Sequence, residues 1–208
     1  AINLTPLLRL YLGIDNLPTM DTEQDLVDDA TVTPLPLDGI RVIEFCHMVM
    51  GPTCGMILAD LGADVIKVEP LHGDTTRRLV HQGAGFFASY NRNKRSIALD
   101  IKSPQGLDAA KRLVLDADVV VENLRPGALA AAGLGPEDLR AHNPGLVYCA
   151  LKGFLNGPYA HRKALDEVVQ MMGGLAYMTG PEGRPLRAGA SVIDIMGCMF
   201  GVIGIQAA

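Results

Sequence analysis

Gly39-Ile-Arg-Val-Ile-Glu-Phe45 and Asp64-Val-Ile-Lys-Val-Glu69 are two short apolar segments separated by about the length of one helix. Their β-branched and aromatic side chains are typical of buried strands. Between them, Pro52 suits the first turn of a helix, and Gly62 suits its end. A strand, a helix and a second strand with tight connections predict a parallel pair of strands joined by a right-handed crossover.

The same alternation continues along the chain. Further strands are predicted at residues 96–100, 117–122 and 145–151, a helix begins at Ser103-Pro104, a small-residue helix follows residues 123–127, and Pro136 begins a helical turn. This order predicts an α/β fold with a Rossmann-like, doubly wound parallel sheet. Ligands of such sheets lie outside the carboxyl ends of the strands. The first strand–helix turn lacks a GxGxxG motif, which disfavours NAD or FAD.

Residues 1–36 differ from the rest in composition. A short leucine-rich helix, an acidic stretch and a proline-spaced linker indicate an N-terminal arm, which leaves residues 37–208 as the domain proper. The final apolar run reaches Ala208 without a helix stop signal. We therefore expect the chain to be a fragment that lacks a second domain.

Composition narrows the classes of function. Half of the chain, 49%, is hydrophobic, the net charge is -5, and the basic residues form no cluster with aromatics, so a nucleic-acid surface is disfavoured. Four cysteines without CxxC spacing indicate reduced, buried thiols and a cytoplasmic protein. The histidines show no metal-binding spacing. The apolar run at residues 190–208 is interpreted as a core helix, with a membrane anchor as the alternative.

One carboxylate, Asp194, begins this apolar run, and Gly197, Gly201 and Gly204 follow at steps of three and four. These residues share one face of a helix. A carboxylate in the first helical turn is stabilised in its charged form by backbone N–H groups, which suits a nucleophile. The alternative is structural: Asp194 is a helix cap, and the glycines are points of close helix packing.

A second carboxylate, Asp166, begins another predicted helix at residues 163–172, which ends at Gly173-Gly174. Its apolar face is predicted at Leu165, Val168, Val169 and Met172. Four cations are candidates for binding a polyanion: Lys94, Arg95, Arg125 and Lys163.

Several motifs in order resemble the class III CoA-transferase family, which includes formyl-CoA transferase and the carnitine-pathway CoA-transferase. The resemblance covers residues 37–208. Its motifs are Leu37-Asp-Gly-Ile-Arg-Val-Ile-Glu-Phe45, Gly51-Pro52, Leu61-Gly-Ala-Asp-Val-Ile-Lys-Val-Glu-Pro70, Asn93-Lys-Arg-Ser-Ile-Ala-Leu-Asp100, Asp118-Val-Val-Val-Glu-Asn-Leu-Arg-Pro-Gly127 and Ala164-Leu-Asp-Glu-Val-Val-Gln170.

The resemblance implies an enzyme that moves CoA from an acyl-CoA to a small carboxylic acid, with Asp194 as the nucleophile and no permanently bound cofactor. Asp194 is expected to be ionised, with a pKa near or below about 3.9. The family also implies an interlaced homodimer and a glycine-rich lid beyond Ala208. The residues expected to bind CoA are His47, Met48, Val49, Met50, Leu99, Lys102, Asn123, Leu124, Arg125, Ala128, Lys163 and Asp166, with phosphates at Arg125 and Lys163.

Two departures bear on the substrate. Val49 and Ala131 stand where formyl-CoA transferase-like members have Gln and Arg. These departures disfavour a formyl/oxalate specificity. Val49 and Met50 in the loop suggest a less polar acid than formate or oxalate, and we expect a C4–C5 dicarboxylate with succinyl-CoA as donor. Two alternatives stay open: a racemase of the α-methylacyl-CoA type, although Leu165 replaces the proton-exchanging His of that branch, and a CoA-binding module without catalysis.

Overall fold

A computed structural model of the chain describes residues 34–208, apart from the side chain of Gln82. Leu35–Ala208 form one compact unit. The predicted arm lies outside the described residues except for its last three positions, so its boundary stays a prediction. Within residues 34–208, no helix combines the length and the apolar character needed to cross a membrane.

Five parallel strands form one sheet with the order β3-β2-β1-β4-β5. The chain moves outward from β1 through β2 to β3, then returns to the other side of β1 for β4 and β5, as a doubly wound sheet requires. This confirms the predicted fold. The strands are β1 (Arg41–Phe45), β2 (Asp64–Glu69), β3 (Arg95–Ala98), β4 (Val119–Glu122) and β5 (Val147–Ala150).

Seven α-helices connect or follow these strands in the described part of the chain. They are α1 (Met50–Asp60), α2 (Phe86–Tyr90), α3 (Pro104–Leu115), α4 (Pro136–Arg140), α5 (Asp166–Met172), α6 (Leu175–Thr179) and α7 (Val192–Ala207). The predicted start of α3 is confirmed, because Ser103 Oγ accepts a hydrogen bond from the N–H of Gly106 and Pro104 occupies the first turn.

Both faces of the central strands β1, β2 and β4 are buried, and successive side chains of each strand point to opposite faces. Val42 and Val121 belong to the core shared with α1 and α7, whereas Ile43 and Val120 belong to the core shared with α3. Parallel strands covered on both faces are nearly continuous in apolar residues. The charged side chains within β1 and β2 are exceptions to this pattern, and their presence in buried strands needs a structural explanation.

The glycines of α7 allow this helix to approach α1 and β5 closely. A Cβ atom added to Gly197 would lie 3.0 Å from Cε of Met50, and one added to Gly201 would lie 2.8 Å from Cδ2 of Leu151. An atom added to Gly204 would meet open space. The structural interpretation of the glycine strip is thus confirmed at Gly197 and Gly201.

Two predictions about the helices are wrong. The predicted apolar face of α5 is largely exposed, with Leu165 61% and Met172 49% accessible, and the buried side chains of this helix are Asp166 and Gln170. The small-residue helix predicted after residue 127 is only a 3-10 turn at Ala130–Ala132. Gly133 ends it in the left-handed conformation, with φ 69°.

Helix α1 meets β1 at a single buried carboxylate. Glu44 is fully buried, and its Oε2 accepts a hydrogen bond from Lys94 Nζ at 2.7 Å. A Cβ atom added to Gly55 of α1 would overlap Glu44 Oε2 and lie 3.3 Å from that Nζ atom. The contact between α1 and the sheet therefore requires glycine at position 55.

We predict that Gly55→Ala lowers the free energy of unfolding by on the order of 3 kcal/mol, because it displaces a buried, paired carboxylate. Gly204→Ala is the matched control, and it should stabilise the protein by up to about 1 kcal/mol, since Ala favours a helix more than Gly does. Denaturant unfolding of both variants measures the difference. Equal stabilities would contradict the proposed close contact.

Candidate active site

A cavity of about 570 Å³ opens at the carboxyl ends of the first four strands. Its walls come from the segments that follow β1, β2, β3 and β4, as expected for a ligand site of a doubly wound sheet. The lining is mostly apolar with a few charged groups, which suits an organic ligand that also carries polar substituents.

Four of the predicted CoA-binding residues meet in this cavity. They are His47, Leu99, Lys102 and Leu124. Sequence reasoning missed most of the other lining residues. These include Val68, His72, Thr75, Asp100 and Ile101. The signal that could have indicated them was their position at or shortly after the carboxyl ends of predicted strands.

The β1–α1 loop, residues 46–49, is held by its neighbours on both sides. Asn123 binds the backbone of His47 twice, since its Oδ1 accepts from the N–H at 3.0 Å and its Nδ2 donates to the carbonyl at 2.8 Å. Thr76 Oγ1 accepts a hydrogen bond from the N–H of Met48 at 3.0 Å. Met48 itself has φ 64°, a conformation that is costly for a residue with a side chain.

This loop connects the cavity to helix α7. His47 lines the cavity, and Met50, at the start of α1, packs where Gly197 of α7 leaves room. Val49 lies between them and is only 2% exposed. Its side chain is therefore packed in the interior rather than open to a ligand, in contrast to the prediction that it lines the CoA groove.

Asp194 lies in the first turn of α7 and is partly buried. The carboxylate that caps this helix is Asp166, whose Oδ1 accepts hydrogen bonds from the N–H groups of Ile193 at 2.8 Å and Asp194 at 3.1 Å. Asp166 is 6% exposed, so the structure assigns it a capping role at a position predicted to bind CoA. Asp194 is thus left free of the capping role.

Gln170 fixes the segment that leads to Asp194. Its side chain is fully buried, its Oε1 accepts a hydrogen bond from the N–H of Ala188 at 2.7 Å, and its Nε2 donates to the carbonyl of Ala190 at 3.2 Å and to Asp166. Arg187 Nη2 lies 3.5 Å from Asp166 Oδ2. Two residues one turn apart on α5 therefore hold the backbone before and at the start of α7.

Burial, together with the negative charges of Asp166 and Glu167 and against the opposing effect of Arg187, raises the pKa of Asp194 to about 6. The expectation of a pKa near or below the ordinary value was therefore wrong. The helix N–H groups that were expected to lower it are bound to Asp166 instead. The result is a basic carboxylate that is still mainly ionised at neutral pH.

The remaining predicted residues are placed outside the cavity. Arg125, Ala128 and Lys163 are exposed on the surface. Two of the cations suggested for a polyanion are engaged elsewhere: the side chain of Lys94 is 2% exposed and paired with Glu44, and Arg95 is paired with Asp64 at 2.5 Å.

A buried network of charges lies beneath the β1–α1 loop. Lys67 Nζ is 3.1 Å from both Glu44 Oε1 and Asp74 Oδ2, and Glu69 binds Arg77 at 2.6 Å. Burial opposes ionisation of Glu69, but hydrogen bonds from Arg77, Ser96 and the N–H of Asp74 lower its pKa to about 2. In the sequence, this network was indicated by two charged residues, Glu44 and Lys67, that interrupt the apolar strands.

Within residues 34–208, no group of three or more His, Cys, Asp and Glu side chains is arranged to hold a metal ion.

Comparison with known proteins identifies a family for this chain. The sequence model of CoA-transferase family III matches residues 37–208. Succinate–glutarate CoA-transferase of Agrobacterium fabrum is 46% identical over 186 residues, which are 83% of this chain and 46% of that protein. Formyl-CoA:oxalate CoA-transferase of Rhodopseudomonas palustris is 44% identical over 164 residues, which are 76% of this chain and 39% of that protein.

A solved structure agrees with the fold. The crystal structure of a CAIB/BAIF family protein from Brucella suis superposes with a TM-score of 0.79 at 43% identity, covering 84% of this chain and 49% of that chain. The chain thus spans less than half the length of the curated relatives that it matches. By the extent of these matches, the chain belongs to CoA-transferase family III.

Proposed function

We propose that the protein containing this chain transfers CoA from an acyl-CoA to a free carboxylic acid, with Asp194 as the nucleophile. The observation that carries the proposal is the placement of Asp194. In a chain of this family, one partly buried carboxylate lies in the first turn of a helix that packs on Met50. Met50 directly follows the loop whose residue His47 lines the cavity, while Asp194 itself is not among the lining residues. The names of the relatives, which are CoA-transferases, support the same class of reaction.

The proposed reaction uses the carboxylate twice. Asp194 attacks the thioester carbonyl, so that the C–S bond breaks and an aspartyl–acyl anhydride and CoA thiolate form. The thiolate then attacks the aspartyl carbonyl, which releases the donor acid and leaves an aspartyl-CoA thioester. The acceptor carboxylate attacks this thioester to form a new anhydride, and the returning thiolate takes the acceptor acyl group and regenerates Asp194.

The pKa of about 6 suits this role. A carboxylate with a raised pKa is a better nucleophile than an ordinary aspartate, but it still carries its charge at pH 7. Asp166 contributes to the raised pKa, because it adds negative charge near Asp194 and takes the helix N–H groups that would otherwise stabilise that anion.

The cavity is the proposed site of the CoA nucleotide. Apolar side chains such as Leu99 and Leu124 can cover a flat ring, and Lys102 can meet a phosphate. The exposed Arg125 and Lys163 remain proposed phosphate ligands, and Met48, Asn123 and Ala128 remain proposed members of the groove. Placing the nucleotide here leaves the pantetheine arm to pass the β1–α1 loop toward Asp194.

We propose a C4–C5 dicarboxylic acid as acceptor, with succinyl-CoA as donor. A relative at 46% identity is named for succinate and glutarate, which supports this choice. A purified protein offered succinyl-CoA and a panel of mono- and dicarboxylic acids should give its highest kcat/KM with a C4–C5 diacid.

The proposed assembly is an interlaced homodimer. Large apolar side chains are exposed on α6 and α7, with Tyr177 72%, Met178 77% and Phe200 66% accessible. Several large apolar side chains exposed to this degree are typical of a protein interface, so a further protein surface is expected to cover them.

An isomerase reaction is the second candidate, because a carboxylate with a pKa near 6 could also serve as a general base. The exposed Leu165, which cannot exchange a proton, disfavours it. Incubation of the protein with a 2-methylacyl-CoA in D₂O distinguishes the two reactions. Deuterium at the α-carbon without any acceptor acid would favour isomerisation, whereas CoA transfer to an acid without such exchange supports the main proposal.

We predict that Asp194→Ala lowers CoA transfer by more than about 10³-fold, because it removes the nucleophile, while CoA binding is retained. Asp116→Ala, which removes an exposed carboxylate at the end of α3, is the matched control and should keep full activity. Mass spectrometry of the unmodified protein incubated with acyl-CoA should detect a hydroxylamine-sensitive adduct on Asp194. Near-normal transfer by Asp194→Ala would refute this assignment.

We predict that kcat/KM falls as the pH decreases below about 6, because protonation of Asp194 removes the nucleophile. Asp166→Asn and, to a smaller extent, Glu167→Gln should move this acidic limb to lower pH, since each removes a negative charge that raises the pKa of Asp194. Arg187→Gln should move it to higher pH. Titration of the substrate phosphates is common to all variants, so shifts with other signs would contradict the role of Asp194.

A further inference from the structure

Two lysine side chains are buried beneath the β1–α1 loop. Those of Lys67 and Lys94 are 1% and 2% exposed, and both are paired with the fully buried Glu44, at 3.1 Å and 2.7 Å. A buried ion pair is weak support for stability, because the cost of removing two charges from water offsets most of their attraction. These lysines therefore need another explanation.

Each ammonium group also binds a backbone carbonyl next to the loop. Lys67 Nζ donates to the carbonyl of Cys46, the first loop residue, at 2.6 Å. Lys94 Nζ donates to the carbonyl of Pro52, in the first turn of α1, at 2.8 Å. The two contacts thus flank the loop and hold both of its ends against the same carboxylate.

Lys94 Nζ donates hydrogen bonds to Glu44, Pro52 and Asn91, the last at 3.2 Å, so all three of its donors have acceptors. Lys67 Nζ donates to Glu44 and Cys46 and forms an ion pair with Asp74, whose Oδ2 lies 3.1 Å away. A lysine offers three N–H groups in a tetrahedral arrangement, whereas the planar fork of arginine cannot reproduce these directions.

The network also continues to the centre of the loop. Asp74, paired with Lys67, accepts a hydrogen bond from the N–H of Thr76 at 2.8 Å, and Thr76 Oγ1 in turn accepts from the N–H of Met48. Met48 is the residue with positive φ. A strained conformation of this kind persists only when the surrounding structure determines it from several sides.

We propose that Lys67 and Lys94 are positioning residues that hold the β1–α1 loop in the conformation that binds acyl-CoA, by bonding the carbonyls of Cys46 and Pro52. The inference rests on the proposed function, since it assigns the loop to acyl-CoA. The lysines are buried away from solvent and act through the backbone of the loop and of the first turn of α1. The loop bears His47, and Met50 at the start of α1 packs on the helix of Asp194.

The test is Lys94→Met, which removes one carbonyl contact and keeps the volume of the side chain. The KM for acyl-CoA should rise at least about tenfold, the effect of losing a charged hydrogen bond, while kcat changes much less. Amide hydrogen exchange of residues 46–52 should become faster by a similar factor. Lys67→Met should act in the same direction.

Two control variants distinguish a positioning role of the lysines from a general effect of losing a positive charge or of losing stability. Arg95→Met removes the neighbouring cation, which is 65% exposed and bound to Asp64. Leu134→Ala removes a fully buried side chain from the opposite face of the sheet. Both should leave the KM for acyl-CoA and the exchange of residues 46–52 near those of the unmodified protein.

The outcomes separate this inference from the proposed function. If the unmodified protein transfers CoA but Lys94→Met retains its KM and its exchange rates, the positioning role is refuted and the enzyme assignment stands. The role is also refuted if Leu134→Ala, at an equal loss of stability, raises the KM equally. If the unmodified protein neither binds nor transfers CoA, the proposed function fails and this role fails with it.

Discussion

The fully buried carboxylate of Glu44 is the constraint on which the binding end of the domain depends. It lies inside an otherwise apolar strand and accepts hydrogen bonds from two lysines that come from different segments, β2 and the approach to β3. An unpaired carboxylate at this depth would be very costly, so the strand, the helix above it and both lysines must be in place together. Gly55 is required for the same reason, because α1 passes directly over the carboxylate.

At the end of β4, charged side chains likewise hold a loop by hydrogen bonds to its backbone. Glu122 ends β4, accepts a hydrogen bond from the N–H of Leu124 at 2.9 Å and pairs with Lys152, whose Nζ also donates to the carbonyl of Leu124 at 2.6 Å. A loop that lines a cavity cannot be stabilised by packing on its open side. Bonds from buried side chains to its backbone replace that packing and still leave the cavity free.

The second half of the proposed site is built in the same way. Asp166 and Gln170 bond the backbone from Ala188 to Asp194, so the proposed nucleophile is held through its own main chain rather than through its carboxylate. A carboxylate that must react cannot also serve as a strong hydrogen-bond acceptor for the helix. Assigning the cap to Asp166 separates the two roles, and burial among negative charges then makes Asp194 more basic.

The sequence by itself determined the strands, their parallel arrangement, the first helical turns at Pro52 and Ser103-Pro104, and the position of Asp194 in the first turn of α7, because these follow from local patterns of apolar, capping and turn residues. The tertiary structure alone decided that Lys94 is buried, that Asp166 caps α7, and that the pKa of Asp194 is raised rather than lowered. It also decided that the polar side of α5 is buried, although the sequence pattern predicted that the apolar side would be. The physical reason is that burial, pairing and pKa depend on groups brought together from distant segments, such as Glu44 with Lys94 and Asp166 with Asp194, and no spacing along the chain specifies those encounters.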